Sequence, residues 1–399
     1  MLLSDIERNP SSSFDYLERL VNNGSKSGFT DIHNTSKGTN PFYSDGYRIL
    51  KLITDKVEAI GELDTHAYQL DIEGGIYIHP DWMLIPNNDI ITDLSCVIKS
   101  EQVVPTSSSR TVRVANQDVF IKLHYPGLIG RLKRNLGFEQ LISGIELTSI
   151  FNNSRNNQPE FFDYMPEPYG RIMRSGNNQV GYILRTIPPH LKKYYLIPGF
   201  SMFSADRQHP EHPTILEQVL EKRDNPLEYF IYEICLKLTD VFFWCTLEEG
   251  LIPEMHSQNI VFAFDTKWRL KKIVLRDFES IDKDITIRTR NDKDTNFQEY
   301  PYKCIAQEDD CYLKRHSFMY DHKLGEYLID PLVEAFCKFT KFDMCEVQAI
   351  IREKVQSKYS GRLAGFFPPD GCWYKYPDIE IDRSTNKRPF ISMGVALYR

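Results

Sequence analysis

Apolar positions along the chain change period several times, and each change marks an element. Residues 14–21 suit a short helix. Ile49, Leu50, Ile53 and Val57 recur at helical spacing and predict a helix over 43–61. Residues 65–104 read as strands and loops, with a β-branched strand around Ile76-Tyr77-Ile78 that ends at His79-Pro80. Thr111 to Val114 and Val119 to Leu123 read as two strands about a short turn. Leu141, Ile142, Ile145 and Leu147 predict a helix over 139–151, and Gln179 to Arg185 predicts another strand. The segment 196–214, rich in Pro, His and Ser, reads as a linker or lid. Asn225-Pro226 is a strong helix start, and Leu227, Phe230, Ile231, Ile234, Leu238 and Val241 continue it as far as Gly250. A β-hairpin follows, from Ile260 to Phe264 and from Leu270 to Asp277, with its turn at Asp265-Thr266-Lys267. Residues 328–357 predict a helical pair, and the tail from Gly365 shows no periodicity. There is no internal repeat.

Composition narrows the class. The 399 residues carry 41% hydrophobic and 26% charged positions, which is ordinary globular usage and not disorder. A chain of this length buries about three quarters of its surface and needs no disulfides to fold. The net charge of −7 is opposite to the balance of a general nucleic-acid binder, so no nucleic-acid partner is expected. The eight cysteines form no Cys-x-x-Cys pair, which argues against a zinc ribbon and for reduced thiols in the cytoplasm. Asp5, Glu7 and Arg8 interrupt the first residues, unlike a signal peptide, and no apolar run approaches the roughly 20 residues of a membrane span. No membrane association is expected.

The candidate chemistry lies in four stretches. Glu254-Met255-His256-Ser257-Gln258-Asn259 stands directly before one hairpin strand, and Arg276-Asp277-Phe278-Glu279 stands at the end of the returning strand. Antiparallel neighbours lie about 5 Å apart, so the hairpin returns Asp277 beside His256 to Asn259. An amide oxygen and a carboxylate at one sheet end suit Mg²⁺, which prefers oxygen ligands and keeps water and phosphates in its shell. Protein kinases hold metal over nucleotide phosphates with a comparable Asn and Asp. A lone His-x-x-Asn is more often a loop that caps its own backbone; the returning Arg-Asp shifts the balance towards a ligand site.

The second stretch is Pro105-Thr106-Ser107-Ser108-Ser109-Arg110-Thr111, with Lys122 on the next strand. Hydroxyls, backbone N–H groups and cations in a tight loop suit phosphate oxygens, although alone the loop reads equally as a solvated turn. The third is Arg131, Lys133 and Arg134, either an anion clamp or a solvated face. The fourth, His79-Pro80-Asp81-Trp82, is by itself an X-Pro turn.

The order of these stretches resembles the NRPS-independent siderophore synthetases, the aerobactin-synthetase-like (IucA/IucC) family. The likeness rests on His-Pro with a nearby Trp, Pro-Thr-x-Ser-x-Arg-Thr, a strand bearing Lys-Leu, Arg134 twelve residues later, Glu-x-His-x-Gln-Asn, and Arg-Asp. It covers roughly residues 75–135 and 225–285, under a third of the chain. The chain departs from the family in having His79-Pro80-Asp81-Trp82 where His-Pro-Trp-Gln is common, in lacking the N-terminal Gly-His-Pro-x-His-Pro motif, and in a shorter N-terminal region.

The resemblance implies an α+β fold of mixed antiparallel sheets and helices in a hand-like thumb, fingers and palm arrangement with a kinase-like palm. On that reading residues 1–74 are a shortened thumb-like region, 75–195 the ATP-phosphate-binding fingers, and 196–399 the palm. It implies ATP and Mg²⁺ as cofactors, and adenylation of a carboxylate, commonly citrate, followed by transfer to an amine or alcohol. By motif, Ser108, Arg110, Thr111 and Lys122 would contact phosphates, and Arg134 would lie near phosphate or the carboxylate substrate. His256, Gln258 and Asn259 would line the nucleotide site, supported by Glu254, with Asn259 and Asp277 as metal ligands. Arg134, His256 and Lys122 would serve catalysis. Family members often dimerise, so a homodimer is an expectation from resemblance alone. A kinase-like phosphotransferase and a non-catalytic nucleotide-binding paralogue are the alternative readings.

Overall fold

Residues 1–22, 46–63, 74–84, 97–108, 110–115, 117–129, 132–175, 178–297, 303–376 and 389–399 are described by the computed structural model. The first strands are β1 (Arg48–Ile53), β2 (Val57–Gly61), β3 (Ile76–Ile78), β4 (Val97–Pro105), β5 (Thr111–Val114) and β6 (Val119–Leu123). β7 (Tyr125–Ile129) and β8 (Leu132–Arg134) form a separate ribbon, and β9 (Phe162–Tyr164) belongs to a second sheet. β10 (Tyr169–Ser175) and β11 (Asn178–Thr186) return to the first sheet, whose order is β2-β10-β11-β6-β5-β4-β1-β3. The sheet curls, so that Tyr77 on β3 meets Tyr182 on β11 edge to face with ring centroids 5.1 Å apart. Ile49, Leu52, Val112, Ile121, Leu123 and Leu184 fill the interior of the curl.

The helix predicted over 43–61 is replaced, within the described residues, by β1 and β2. Ile49, Ile53 and Val57 are as much strand formers as members of a helical stripe. Antiparallel pairing on both sides of β1 decides between them: Leu50 stands opposite Ile78 of β3 and opposite Ser100 of β4.

The second sheet has the order β12-β14-β15-β9, with β12 (Tyr195–Pro198), β13 (Leu251–Ile252) in a small neighbouring sheet, β14 (Ile260–Phe264) and β15 (Leu270–Leu275). The predicted hairpin is β14 and β15, in register from Ile260↔Leu275 to Phe264↔Leu270. Its turn is held by Asp265 Oδ1, which accepts from the N–H groups of Lys267 (2.9 Å) and Arg269 (3.0 Å). The start of the supposed lid is β12 itself, paired to β14 with Leu196 opposite Ala263. A hydrophobic Leu-Ile pair inside a Pro-rich stretch here marks a strand.

Around this sheet lies the largest core. The helix over 226–248 begins as expected, with Asn225 Oδ1 accepting from Glu228 N at 3.1 Å and Pro226 in the first turn. A helix over 312–340 and the helix Met344–Tyr359 complete the layer. The Pro-rich tail forms an antiparallel hairpin, Cys372–Lys375 with Ile391–Val395. The helix Phe138–Asn153 ties the two sheets together. Leu141 packs on Ile172 and Ile183 of the large sheet, and Phe151 meets Phe162 of the second and Phe278 just beyond its strand β15, at 5.8 and 5.2 Å between ring centroids.

The whole is α+β, as expected. The described cysteines are free, and Cys96 lies outside the described residues. Among the described residues no helix is long and apolar enough to cross a membrane.

Candidate functional site

The ends of β6 and β15 meet where the two sheets abut. Lys122 is the fourth residue of β6 and is buried; Thr111 of β5 stands opposite it. Beyond β15 the chain turns sharply, with Asp277 in the left-handed region at φ 74°. That conformation costs a non-glycine residue about 1–3 kcal/mol and persists only where its surroundings hold it. Phe278 does so: its ring is fully buried between Phe151 and Tyr164. The turn thereby aims Asp277 and Glu279 at Lys122.

The contacts are ionic and cross from one sheet to the other. The Lys122 amine touches Asp277 Oδ1 closely and lies 2.9 Å from Glu279 Oε2. Arg110 donates to Glu279 Oε2 at 2.8 Å and to the Arg134 carbonyl at 3.1 Å. Behind them Arg185 donates from Nε to Glu167 Oε1 at 3.0 Å and lies 3.7 Å from Asp277. Glu167 is itself confined, because a Cβ on Gly144 would come within 2.9 Å of its Oε2. The cations are almost fully covered, whereas Asp277 and Glu279 retain 31% and 21% side-chain exposure. Partial burial alone would raise both carboxyls. Lys122, with Arg185 and Arg110, overrides that and holds Asp277 well below the usual carboxylate range. Lys122 and Arg110 likewise hold Glu279 below its ordinary value.

The second half of the cluster comes from the stretch before β14. Burial would raise Glu254, but Lys323, 2.6 Å away, brings it to about 2. Burial lowers His256 to about 4, so the imidazole is neutral near pH 7. Its Nδ1 accepts from Gln258 N at 3.2 Å, which puts the ring proton on Nε2. Asn259 Nδ2 donates to the Glu254 carbonyl at 3.0 Å and to Ser280 Oγ at 3.4 Å, and Ser280 Oγ donates to the Asp277 carbonyl at 3.0 Å. The backbone closes the set, with Arg276 N donating to Asn259 O at 2.9 Å. Arg134 lies in the same field as Arg110, Glu279, Glu254 and Asp277, and burial lowers its basicity.

The phosphate-type loop is built differently from its reading as a free turn. Thr106 Oγ1 donates to the Thr111 carbonyl (2.8 Å) and accepts from Ser108 N (3.2 Å), which closes the loop on itself. Ser107 donates from N (3.1 Å) and Oγ (2.8 Å) to Glu18 on the helix Pro10–Leu20. Glu18 in turn pairs with Arg276 at 2.6 Å, and Gln258 Nε2 reaches Ser107 Oγ at 3.3 Å. Gln258 thus braces the loop against the hairpin.

Of the sequence candidates, Arg110, Lys122, Arg134, Glu254, His256, Asn259 and Asp277 converge; Ser108, Thr111 and Gln258 frame the loop beside them. Ser109, Arg131 and the side chain of Lys133 lie outside the described residues. His79 is buried against Tyr47 (3.0 Å to the hydroxyl) and takes Asp81 N at 3.1 Å, so its turn is structural. Glu279 was visible beside Asp277 without an evident partner. Glu18, Glu167, Arg185 and Lys323 carried no local signal. The order His-Pro-x-His-Pro does stand at 209–213, preceded by Gln208 instead of Gly; its contacts are with Met1 and the Asp206 loop.

No family model and no curated protein sequence matches the chain. Solved structures do. The aerobactin synthetase IucA from a hypervirulent pathotype of Klebsiella pneumoniae matches at TM-score 0.67 and 12% identity, over 88% of this chain and 69% of that one. The petrobactin biosynthesis protein AsbB from Bacillus anthracis str. Sterne matches at TM-score 0.68 and 14% identity, over 88% and 68%. An ATP-bound IucA from the same Klebsiella source matches at TM-score 0.66 and 13% identity, over 82% and 65%. The fold of the chain is therefore that of these siderophore synthetases.

Proposed function

We propose that the protein is an ATP- and Mg²⁺-dependent ligase that adenylates a carboxylic acid, citrate-like by resemblance, and joins it to an amine or alcohol. One observation carries the reading. Lys122 and Arg110 on one sheet are held by two partly exposed carboxylates on the other, in a fold shared with an ATP-bound synthetase. Attack of a carboxylate on the α-phosphate brings two anions together, and fixed cations offset that repulsion. In this scheme Arg110 and Lys122, with Ser108 and Thr111 beside them, receive the phosphates. Arg134 faces the incoming carboxylate, and His256, neutral and carrying its proton on Nε2, donates a hydrogen bond to the nucleotide. Gln258 and Glu254 hold the walls.

The oxygens of Asp277 and Asn259 fit Mg²⁺ as a hard, oxygen-preferring ion, because the donor Nδ2 of Asn259 is spent on Glu254 and Ser280 and leaves Oδ1 as the acceptor. Bound there, Mg²⁺ would offset the charge of the phosphates and of the leaving pyrophosphate. The protein incubated with ATP, Mg²⁺ and a panel of acids and amines is expected to release AMP and pyrophosphate. Release of ADP alone would assign a phosphotransferase, and nucleotide binding without turnover on any acid would assign a non-catalytic role.

A further inference from the structure

The loop between β12 and the helix Ile215–Glu221 carries a second set of side chains with metal-ligand chemistry, separate from the ionic cluster. It reads Asp206-Arg207-Gln208-His209-Pro210-Glu211-His212-Pro213. Its backbone is pinned at both ends. Asp206, buried, accepts from Gln208 N (2.9 Å), His209 N (3.3 Å) and the Tyr16 hydroxyl (2.7 Å). His212 N closes a turn onto the His209 carbonyl at 3.0 Å. Gln218 Nε2 holds the Pro213 carbonyl at 2.9 Å, and Thr214 caps the following helix, accepting from Glu217 N at 3.2 Å. Pro210 and Pro213 fix two further φ angles.

On this frame the two imidazoles stack, with centroids 4.9 Å apart and planes 22° from parallel. Glu211 Oε1 lies 3.5 Å from His209 Nδ1 and 3.6 Å from His212 Nε2. The three ligand atoms fall within 4.8 Å of one another. His212 Nε2 is the atom turned to Glu211, and its Nδ1 lies 3.1 Å from the Met1 nitrogen.

We propose that His209, Glu211 and His212 form a Zn²⁺ site on this loop. Zn²⁺ binds imidazole nitrogen and carboxylate oxygen at about 2.0–2.2 Å, and a tetrahedron of that size has ligand–ligand edges of about 3.4 Å. Two of the three edges, 3.5 and 3.6 Å, are within 0.1–0.2 Å of this; the third, between the two imidazole nitrogens, is within 4.8 Å and closes by rotation of the near-parallel rings. Their side chains are 53%, 66% and 26% exposed, so the fourth position opens to solvent. Two imidazoles select Zn²⁺ over Mg²⁺ and Ca²⁺, which prefer all-oxygen shells. The loop therefore does not compete for the Mg²⁺ assigned to Asp277.

The test is titration of the full chain with ZnCl₂ against a chromophoric chelator, with thermal unfolding followed in parallel. The wild type is expected to take up one equivalent that the double variant His209→Ala/His212→Ala lacks, and Zn²⁺ should raise the unfolding temperature of the former only. Each single variant should weaken binding by at least the about tenfold that even outer-shell losses cost. Asp277→Asn should leave the Zn²⁺ stoichiometry unchanged. Equal uptake by the double variant overturns the proposal, as does a wild type that saturates only at millimolar Zn²⁺. His209 is exposed and His212 partly so; unfolding curves without metal verify that the variants keep the fold, and His209→Ala alone serves where the double variant does not.

Discussion

Four carboxylates lie close together in the chain, Asp277, Glu279, Asp282 and Asp284, and they end in opposite situations. Asp277 and Glu279 are partly exposed and take their cations, Lys122 and Arg110, from the other sheet. Asp282 and Asp284 are completely dry and are paired inside their own layer. Asp282 accepts from Arg315 at 2.9 Å and lies 3.3 Å from Lys303. Asp284 accepts from Tyr312 (2.7 Å), His316 (2.9 Å) and Ile287 N (2.9 Å). A pair that bridges two sheets with one partner open to water can exchange that partner for a ligand. A carboxylate that is itself fully buried cannot: Asp282 left without Arg315 and Lys303, which are 16% and 17% exposed, would keep a buried charge that costs several kcal/mol. Burial and the origin of the partner, more than charge density, separate a binding cluster from a structural one.

The contrast breaks most visibly at the dry end. Asp282→Ala leaves Arg315 and Lys303 without their shared carboxylate, and stability should fall by about 3–5 kcal/mol. The midpoint of denaturant unfolding measures it. If Asp282→Ala instead unfolds like wild type, burial is not what distinguishes the two groups.

At the open end the loss should be functional. Asp277→Asn keeps the shape of the turn and removes the charge, so Mg²⁺-dependent turnover should drop by about 10²–10³-fold, or roughly 3–4 kcal/mol, with a smaller fall in the unfolding midpoint than Asp282→Ala because Glu279 still pairs with Lys122. Steady-state kinetics beside a denaturation curve tests both halves. Full activity would remove the metal assignment.

Arg110→Ala should be milder. It deletes one charge-assisted donor among several, worth about 1.5–3 kcal/mol, which appears as a roughly 10- to 100-fold weaker affinity for ATP in calorimetry. An effect confined to the acid substrate would reassign Arg110 to that side of the pocket.

The parts of this contrast that the sequence discloses are those set by strand arithmetic. A hairpin turn at Asp265 returns Asp277 to Asn259, and one tight turn returns Lys122 to Thr111, because cross-strand spacing is fixed. Partners brought in by packing leave no such trace. Glu18 reaches Ser107 and Arg276 from the N-terminal helix, and Arg185 reaches Asp277 from β11. For the same reason the helical spacing of 49, 50, 53 and 57 misleads: β1 is decided by strands far along the chain. Asp277 and Asp282 look alike in sequence, and only the third dimension makes one wet and the other dry.

The smallest effect concerns His256, which belongs to the open cluster yet is itself buried. Its folded-state value of about 4 lies below the ordinary 6.5, so between these the unfolded chain binds a proton that the folded chain does not. Stability must then fall as pH falls through this window, by about 1–2 kcal/mol between pH 6.5 and 5. Glu254, held at about 2 by Lys323, stays charged in the folded chain throughout the window and adds only a small slope near pH 5, equally in wild type and variant. His124, also lowered to about 4 by burial, adds a slope of its own, but equally in wild type and variant. In His256→Asn the amide oxygen can still accept from Gln258 N while the titration disappears. The stability-against-pH curve of the variant should therefore be flatter than that of wild type by that amount. Parallel curves would mean that His256 takes up its proton at the same pH in the folded and unfolded chain, and that burial does not keep it neutral through this window.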